Sequence, residues 1–68
     1  MSVYKVIEIV GTSPDYWEDA ASVAVAKASG SLRDMRVGEV KEFDVTIGDD
    51  GRVESYRVRL SVSFKFES

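Results

Sequence analysis

Hydrophobic and polar side chains alternate without a break near the end of the chain, from Ser55 to Phe66, within a segment that begins at Val53. The apolar members of the alternation are Tyr56, Val58, Leu60, Val62, Phe64 and Phe66. The residues between them are polar or charged: Ser55, Arg57, Arg59, Ser61, Ser63 and Lys65. A period of two is typical of a β-strand with one buried face. The pattern therefore predicts a strand here whose apolar face packs on a helix.

Residues 3–10 predict an earlier strand, in which both faces are largely apolar. One face carries Val3, Ile7 and Ile9, and the other carries Tyr4, Val6 and Val10. A half-exposed strand would show one polar face. A single helix can cover only one side, so we expect something else to cover the second.

A helix is predicted between the two strands, from Pro14 to about Ser29. Ser13 is a favourable N-cap, and proline is common at the first helical position. Residues at helical spacing form one face: Trp17, Ala20, Ala21, Ala24 and Ala28. The small side chains of this face allow a close approach to the sheet. Trp17 lies in phase with the alanines, which favours core packing over stacking on an aromatic ligand, and Gly30 is expected to form a left-handed C-cap.

Residues 32–47 predict a long middle strand, and 48–51 (Gly-Asp-Asp-Gly) predict the hairpin turn that follows it. Val37, Phe43, Val45 and Ile47 share one parity, and Val40 has the other. Gly38 inside the strand suggests a bend or a bulge. The fold class is therefore α+β: a single domain spanning 1–68, with β-α-β-β order and a three-stranded antiparallel sheet.

The size of the chain predicts self-association. It has 68 residues, and folds below roughly 70–80 residues usually need disulfides, a metal or oligomerisation. The sequence contains no cysteine and no histidine, which excludes disulfides and the usual zinc frameworks. The last two strands are also far longer than one short helix can cover. Other copies of the chain would cover the overhang and the second face of the first strand together.

The charge distribution argues against nucleic acid and membranes as partners. Twelve acidic and nine basic residues give a net charge of −3, and no Lys/Arg cluster forms a stripe for phosphates. No apolar run approaches the roughly 18 residues that span a bilayer. The first residues enter a strand without a signal-peptide pattern, so we expect a cytoplasmic protein.

The sequence predicts no catalytic machinery. A hydrolase-type nucleophile needs a base beside it, and neither His nor Cys is present. The carboxylates that could hold a metal ion are Glu39, Glu42, Asp49 and Asp50. Solvated charge pairing and turn chemistry explain the same residues without a metal. Calcium takes about 6–8 oxygen ligands, more than any local segment supplies, so a cation site would need several copies around a symmetry axis.

Several segments together resemble the dodecin family. They are V-Y-K-V-I-E-I-V-G-T-S-P-x-x-W-E-x-A-A at 3–21, A-x-x-x-A-S at 24–29, L-R-D-M-R-V-G-E-V at 32–40, and Y-R-V-R-L-S-V-S-F-K at 56–65. The resemblance covers essentially the whole chain. It implies a sheet that partly wraps the helix and a hollow homododecamer of such subunits. It also implies binding of flavins such as riboflavin or FMN, with a storage or buffering role rather than catalysis.

Three positions of this sequence correspond to the family's flavin site, and at two of them the residue type differs from that of flavin-binding dodecins. Val37 stands where flavin-binding dodecins carry a Trp that stacks on the flavin ring. Arg57 stands where a Gln meets the ring's polar edge, while Glu42 retains the acidic group. Losing aromatic stacking removes roughly 1–3 kcal/mol per ring, so the resemblance predicts weakened or lost flavin binding. The R-V-x-x-V middle strand instead resembles a branch of dodecins for which calcium rather than flavin has been proposed as the ligand. A purely structural shell without any small ligand is the alternative.

Overall fold

The computed structural model describes residues 2–65 and consists of one helix and one antiparallel sheet. Strand β1 spans Tyr4–Ser13, helix α1 Trp17–Ala28, strand β2 Met35–Ile47 and strand β3 Val53–Lys65. The strand order in the sheet is β1-β3-β2. The predicted β-α-β-β order and three-stranded antiparallel sheet are confirmed. Phe66, predicted as the last apolar position of β3, lies outside the described residues.

The core forms where α1 packs on β1 and β3. Val58, Leu60 and Val62 on β3 are 2–3 % exposed, as expected from their alternation, so the predicted packing of this face on the helix is confirmed. Ala20 and Ala24 complete the buried set on the helix side, and flanking apolar residues pack around it: Ile7, Ile9, Ala21 and Met35. Because the buried helix residues are alanines, the core is thin.

Gly11 allows the helix to approach β1 closely. A Cβ atom at this position would meet the carbonyl oxygen of Ala20 and would lie 2.7 Å from the Cβ of Ala24. Both distances are too short for a methyl group. The glycine in β1 and the alanines on α1 therefore act together, because both are needed for the two backbones to come this close.

The helix begins three residues later than predicted, so the expected N-cap is wrong. The cap residue is Tyr16, which makes no side-chain capping bond. Ser13 instead ends β1 opposite Tyr56, because strand pairing continues past the predicted end at Val10. Its buried hydroxyl accepts a hydrogen bond from the Asp15 N–H at 3.0 Å and donates one to Asp19 Oδ2 at 2.7 Å. Ser13 thus holds the turn between β1 and α1.

The end of the helix also differs from the expectation at Gly30. The described residues with positive φ are Asp34 and Gly51, so Gly30 is not left-handed. The chain leaves α1 by a tightened turn, in which the N–H groups of Ser31 and Leu32 both donate to the Ala28 carbonyl oxygen at 2.9 Å. Right-handed geometry thus continues past the helix end and satisfies the last carbonyl groups without a left-handed residue.

Strand β2 contains irregularities that overturn its predicted faces. Its register against β3 shifts between Met35 and Val37 and again between Val40 and Glu42. Each shift inserts one extra residue and so changes which parity faces the helix. Gly38, the predicted bulge, instead pairs regularly with Val62.

The consequence is that the apolar residues of β2 divide between the two faces of the sheet. Val40 and Phe43 lie opposite Leu60 and Val58, on the helix side, although their parities differ. Val37 lies opposite Ser63 on the outer side. The prediction that Val37 and Phe43 share a face is therefore wrong.

The β2–β3 hairpin turn forms where predicted. The Gly48 N–H donates to the Arg52 carbonyl oxygen at 2.8 Å, and Gly51 adopts φ +78°. Asp50 Oδ1 accepts the Arg52 N–H at 3.0 Å, a typical use of aspartate in a turn. Within residues 2–65, no helix is both long enough and apolar enough to cross a membrane.

Candidate functional site

The outer face of the sheet, opposite the helix, carries a group of paired charges. We call Glu8, Glu42, Asp44, Arg57 and Arg59 the charged face. One residue of this group lies on β1, two on β2 and two on β3. Antiparallel pairing places Arg57 opposite Asp44 and Arg59 opposite Glu42. The register therefore brings opposite charges together across the sheet, which is the favourable arrangement for cross-strand pairs.

Arg57 and Asp44 form the strongest pair. Arg57 Nε donates to Asp44 Oδ1 at 2.8 Å, and Arg57 Nη2 donates to Asp44 Oδ2 at 2.9 Å. This is the two-pronged geometry that matches a guanidinium group to a carboxylate. The hydrogen bond from Arg57 lowers the pKa of Asp44, and the hydrogen bond to Asp44 raises the pKa of Arg57. Both residues therefore stay charged across the physiological range.

Arg59 bridges all three strands. Its Nε donates to Glu42 Oε1 on β2 at 3.0 Å, and its Nη1 lies 3.8 Å from Glu8 Oε1 on β1. All these side chains are substantially exposed, and exposed ion pairs contribute little to folding stability. The cluster is therefore better understood as a prepositioned set of charges on the outer face than as a source of stability.

This face has a small recess. A cavity of about 30 Å³ is lined by Val10 and by four members of the charged face, Glu42, Asp44, Arg57 and Arg59. This is about the volume of one water molecule. Within one subunit, the cavity has no room for a ring system.

The structure brings together two of the three positions that match the family's flavin site. Glu42 and Arg57 line the same small cavity. Val37 is 62 % exposed and lies opposite Ser63, four β3 residues beyond the partner of Glu42. At about 3.3 Å per residue that separation is roughly 13 Å. All three lie on the outer face, but Val37 is outside the charged cluster.

The four candidate metal ligands do not meet within one subunit. Glu39 Oε1 lies 3.7 Å from Lys41 Nζ, and Glu42 accepts the hydrogen bond from Arg59. Asp49 and Asp50 lie in the hairpin turn. Among residues 2–65, no group of three or more acidic, histidine or cysteine residues is arranged to hold a metal ion. A cation site built from these carboxylates would therefore need ligands from more than one subunit.

The sequence analysis did not single out Asp44 or Glu8, and its prediction that Trp17 packs in the core is only partly confirmed. The signal for Asp44 was available, because it follows Glu42 by two residues and alternation puts both on one face. Trp17 is 37 % exposed, so it borders the core rather than filling it. Its indole packs edge-on against Phe43 and Tyr56, with ring centroids 5.2 and 5.0 Å apart. Trp17 Nε1 donates to the Asp44 carbonyl oxygen at 3.1 Å.

These features define a class of protein: a small α+β subunit with one helix, a thin core, a charged outer face and extensive apolar surface left uncovered. The dodecin family model matches residues 3–67, and the chain belongs to the dodecin family. The resemblance expected from the sequence is thereby confirmed.

Individual relatives support the same family. The chain is 52 % identical over 65 residues to "Calcium dodecin" of Mycobacterium tuberculosis, covering 96 % of this chain and 90 % of that protein. It is 46 % identical to a dodecin of Thermus thermophilus, covering 96 % and 93 %. The crystal structure of the mycobacterial calcium dodecin, described as having a novel calcium-binding site, superposes with a TM-score of 0.87 at 50 % identity over 97 % and 93 % of the chains.

A second solved structure shows how closely the fold is kept. A dodecin from Streptomyces coelicolor superposes with a TM-score of 0.93 at 39 % identity, covering 98 % of this chain and 94 % of that one. The family and the β-α-β-β fold are therefore secure on both sequence and structure.

Proposed function

We propose that this protein is a non-catalytic subunit of a hollow homododecameric cage that binds, stores or buffers a small ligand in the cytoplasm. Family membership supports the assembly and the binding role. The observation that carries the proposal is the amount of apolar surface that one subunit leaves open. Phe43 is 61 %, Val6 62 % and Ile47 68 % exposed, and so much exposed apolar surface marks an interaction site.

Calcium is the ligand that we propose first. The support is the 52 % identical calcium dodecin and the surplus of carboxylates over cationic groups. Glu39, Glu42, Asp49 and Asp50 are the proposed ligands. Because they do not converge in one subunit, symmetry-related copies must bring them together to reach the 6–8 oxygen atoms that calcium takes.

The geometry of the charged face argues against flavin. Arg57 is oriented toward Asp44 by two hydrogen bonds, and a guanidinium group has only donors, so it offers no acceptor to the edge of a ring as a Gln amide would. Val37 offers no aromatic plane on which a ring could stack. We expect Val37→Trp combined with Arg57→Gln to create flavin binding, measured as quenching of riboflavin fluorescence. An unchanged affinity would show that these two positions do not control the site.

A structural shell without a small ligand is the second candidate. The observation that favours it is the internal pairing of the charged face. Arg57 and Arg59 each have a carboxylate partner within 3.0 Å, so both already have the ionic contact that a ligand would offer. A shell of this kind would assemble equally well with and without added ions.

Native mass spectrometry of the protein as purified from cells separates these cases. A twelve-subunit species with small excess masses that match divalent ions is the expected result. A bare dodecamer would support the shell, and excess masses of flavins would restore flavin as the ligand. A monomer at all concentrations would overturn the assembly and the function built on it.

Calcium binding has its own test in thermal unfolding. Calcium at a hundredfold excess over its dissociation constant stabilises the folded form by about 2.7 kcal/mol per site, so the melting temperature should rise and a chelator should reverse the rise. Glu39→Gln and Asp49→Asn should reduce the shift. Glu54→Gln, which removes a carboxylate outside the proposed set, is the matched control. Equal melting curves with calcium and with chelator would contradict calcium binding.

A further inference from the structure

An apolar groove lies on the helix side of the sheet, outside the charged face and its cavity. It is lined by Trp17, Glu18, Val40, Phe43 and Val58 and has a volume of about 360 Å³; we call it the Trp17 groove. Glu18 is the only charged residue that lines it. The groove exists because α1 packs on β1 and β3, so the helix side of β2 is covered mainly by the Trp17 indole.

The dimensions of the subunit indicate how much surface is left without a cover. Its radius of gyration is 14.0 Å and its extents are 52 × 20 × 15 Å, whereas a compact chain of this length has a radius of gyration of about 11 Å. Its accessible surface is 5189 Å², about 1000 Å² more than expected for a compact monomer of this mass. A standard protein interface buries about 800 Å² per partner. The excess is comparable with the area that one partner buries in a standard interface.

We infer that the Trp17 groove is filled by apolar side chains of a second copy of this chain. This inference rests on the self-assembly proposed above and names the surface that carries it. A second copy supplies exposed apolar side chains on β1, because Tyr4, Val6 and Val10 are 49–62 % exposed. Glu8 lies between Val6 and Val10 on the same face, so the adjacent pair Tyr4 and Val6 forms the uninterrupted apolar part. These residues lie on the outer side of the sheet, so they cannot reach the groove of their own subunit. The contact joins different surfaces on the two copies, which allows a ring to close.

Trp17 is suited to anchor such a contact. Tryptophan is among the residues that dominate binding energy at interfaces. Its one polar atom, Nε1, already donates to the Asp44 carbonyl oxygen, so the rest of the ring can be buried without leaving a donor unpaired. Phe43 packs edge-on against the indole, with ring centroids 5.2 Å apart, and is itself 61 % exposed.

Trp17 is the only tryptophan in the chain, so its fluorescence reports the groove directly. In the wild-type assembly we expect blue-shifted emission and at least threefold weaker quenching by acrylamide than in the dissociated subunit. Phe43→Ser should weaken assembly by at least tenfold, measured by light scattering over a dilution series. Val3→Ser, with the same 61 % exposure as Phe43 but distant from the groove, should assemble like the wild type.

The outcomes distinguish this inference from the proposed function. An assembled wild type whose Trp17 is quenched as strongly as in the dissociated subunit would overturn the groove contact and leave the cage intact. Protection of Trp17 in a monomer, with a small apolar molecule bound, would overturn it in favour of a ligand. A monomer with an open groove would overturn both proposals. The quenching measurement uses the wild type, so it decides the matter even where Phe43→Ser fails to fold.

Discussion

The two halves of the sheet differ in burial although their sequences are similarly apolar. Under the helix, Val58, Leu60 and Val62 of β3 are 2–3 % exposed. In the β2–β3 hairpin, Phe43 and Ile47 are 61 % and 68 % exposed. Phe43 lies directly opposite Val58, so neighbouring residues on one face have opposite environments. Burial in this molecule depends on whether α1 covers the position.

The difference shows what a chain of 68 residues can and cannot complete alone. Twelve residues of helix cover the middle of a sheet whose β2 and β3 strands each span thirteen residues. The covered half holds the chain together, and the hairpin half leaves its apolar residues exposed, where we propose that a second copy covers them. The expected effects of substitution therefore depend on which half is changed, and in the hairpin half they depend on assembly.

The largest effect is expected in the covered half. Leu60→Ala should lower the free energy of unfolding by about 3 kcal/mol, because it removes a buried side chain from a core that has few others. Urea denaturation followed by circular dichroism measures the change. A loss below about 1 kcal/mol would mean that the core described here does not hold the subunit together.

Gly11→Ala should lower the free energy of unfolding by about 2 kcal/mol through overpacking, because the added methyl group would collide with Ala20 and Ala24. Thermal unfolding is the measurement. Gly38→Ala is the matched control, since its Cβ would sit 3.6 Å from Leu60 Cδ2 in ordinary contact. Equal losses of unfolding free energy at the two glycines would show that the close approach of α1 to Gly11 does not limit stability.

Ile47→Ala tests whether the exposed apolar surface of the hairpin is covered in the assembly. In a dissociated subunit the change should cost less than about 0.5 kcal/mol, as is usual for exposed positions. If a second copy covers the hairpin, the cost should rise above about 1 kcal/mol in the assembled protein. Melting curves recorded above and below the dissociation concentration separate the two values. Identical costs in both states would mean that Ile47 stays in solvent.

The smallest effect concerns the charged face. The pKa of Asp44 is lowered in the folded protein by its hydrogen bond from Arg57, so the pair favours folding above the ordinary carboxyl value of 3.8. That contribution is lost as the pH falls from this value through the lower folded pKa. Asp44→Asn should therefore lower the melting temperature slightly at pH 7, where the pair is fully formed, and the difference from the wild type should disappear in the acid limb as the pH falls through the folded pKa. A melting temperature identical to that of the wild type at every pH would show that the pair is not linked to folding.

The sequence predicted the fold well where one periodicity ran without interruption. Alternation in β3 identified Val58, Leu60 and Val62 as buried, and alanines at helical spacing identified the contact face of α1. It failed where tertiary pairing overrode local signals. Ser13 has the chemistry of an N-cap, but its strand partner Tyr56 keeps it in β1. Gly30 has the chemistry of a left-handed cap, but a right-handed turn satisfies the same carbonyl groups.

The candidate site was predicted in part, for a similar reason. Glu42 and Arg57 were singled out from the family resemblance, and the pairing of β2 with β3 places both beside the same small cavity. Val37 was grouped with Phe43 by parity, whereas the bulge between Val40 and Glu42 places the two residues on opposite faces. A bulge is a property of strand pairing and cannot be detected from the parity of one strand. The proposed metal ligands would come together only between copies of the chain. Hydrophobic periodicity predicts the faces of one chain and gives no information on how two copies are arranged.

One of the two extra residues in β2 affects how relatives of this chain should be aligned. The register passes from Val40 opposite Leu60 to Glu42 opposite Arg59, which leaves Lys41 as the surplus position. Deleting Lys41 would keep every flanking side chain on its present face and remove only the local kink and added twist. The local bend of the hairpin therefore depends on the number of residues in β2. A column-by-column comparison of residue types would pass over it, whereas a one-residue gap at this point would mark a subunit of different shape.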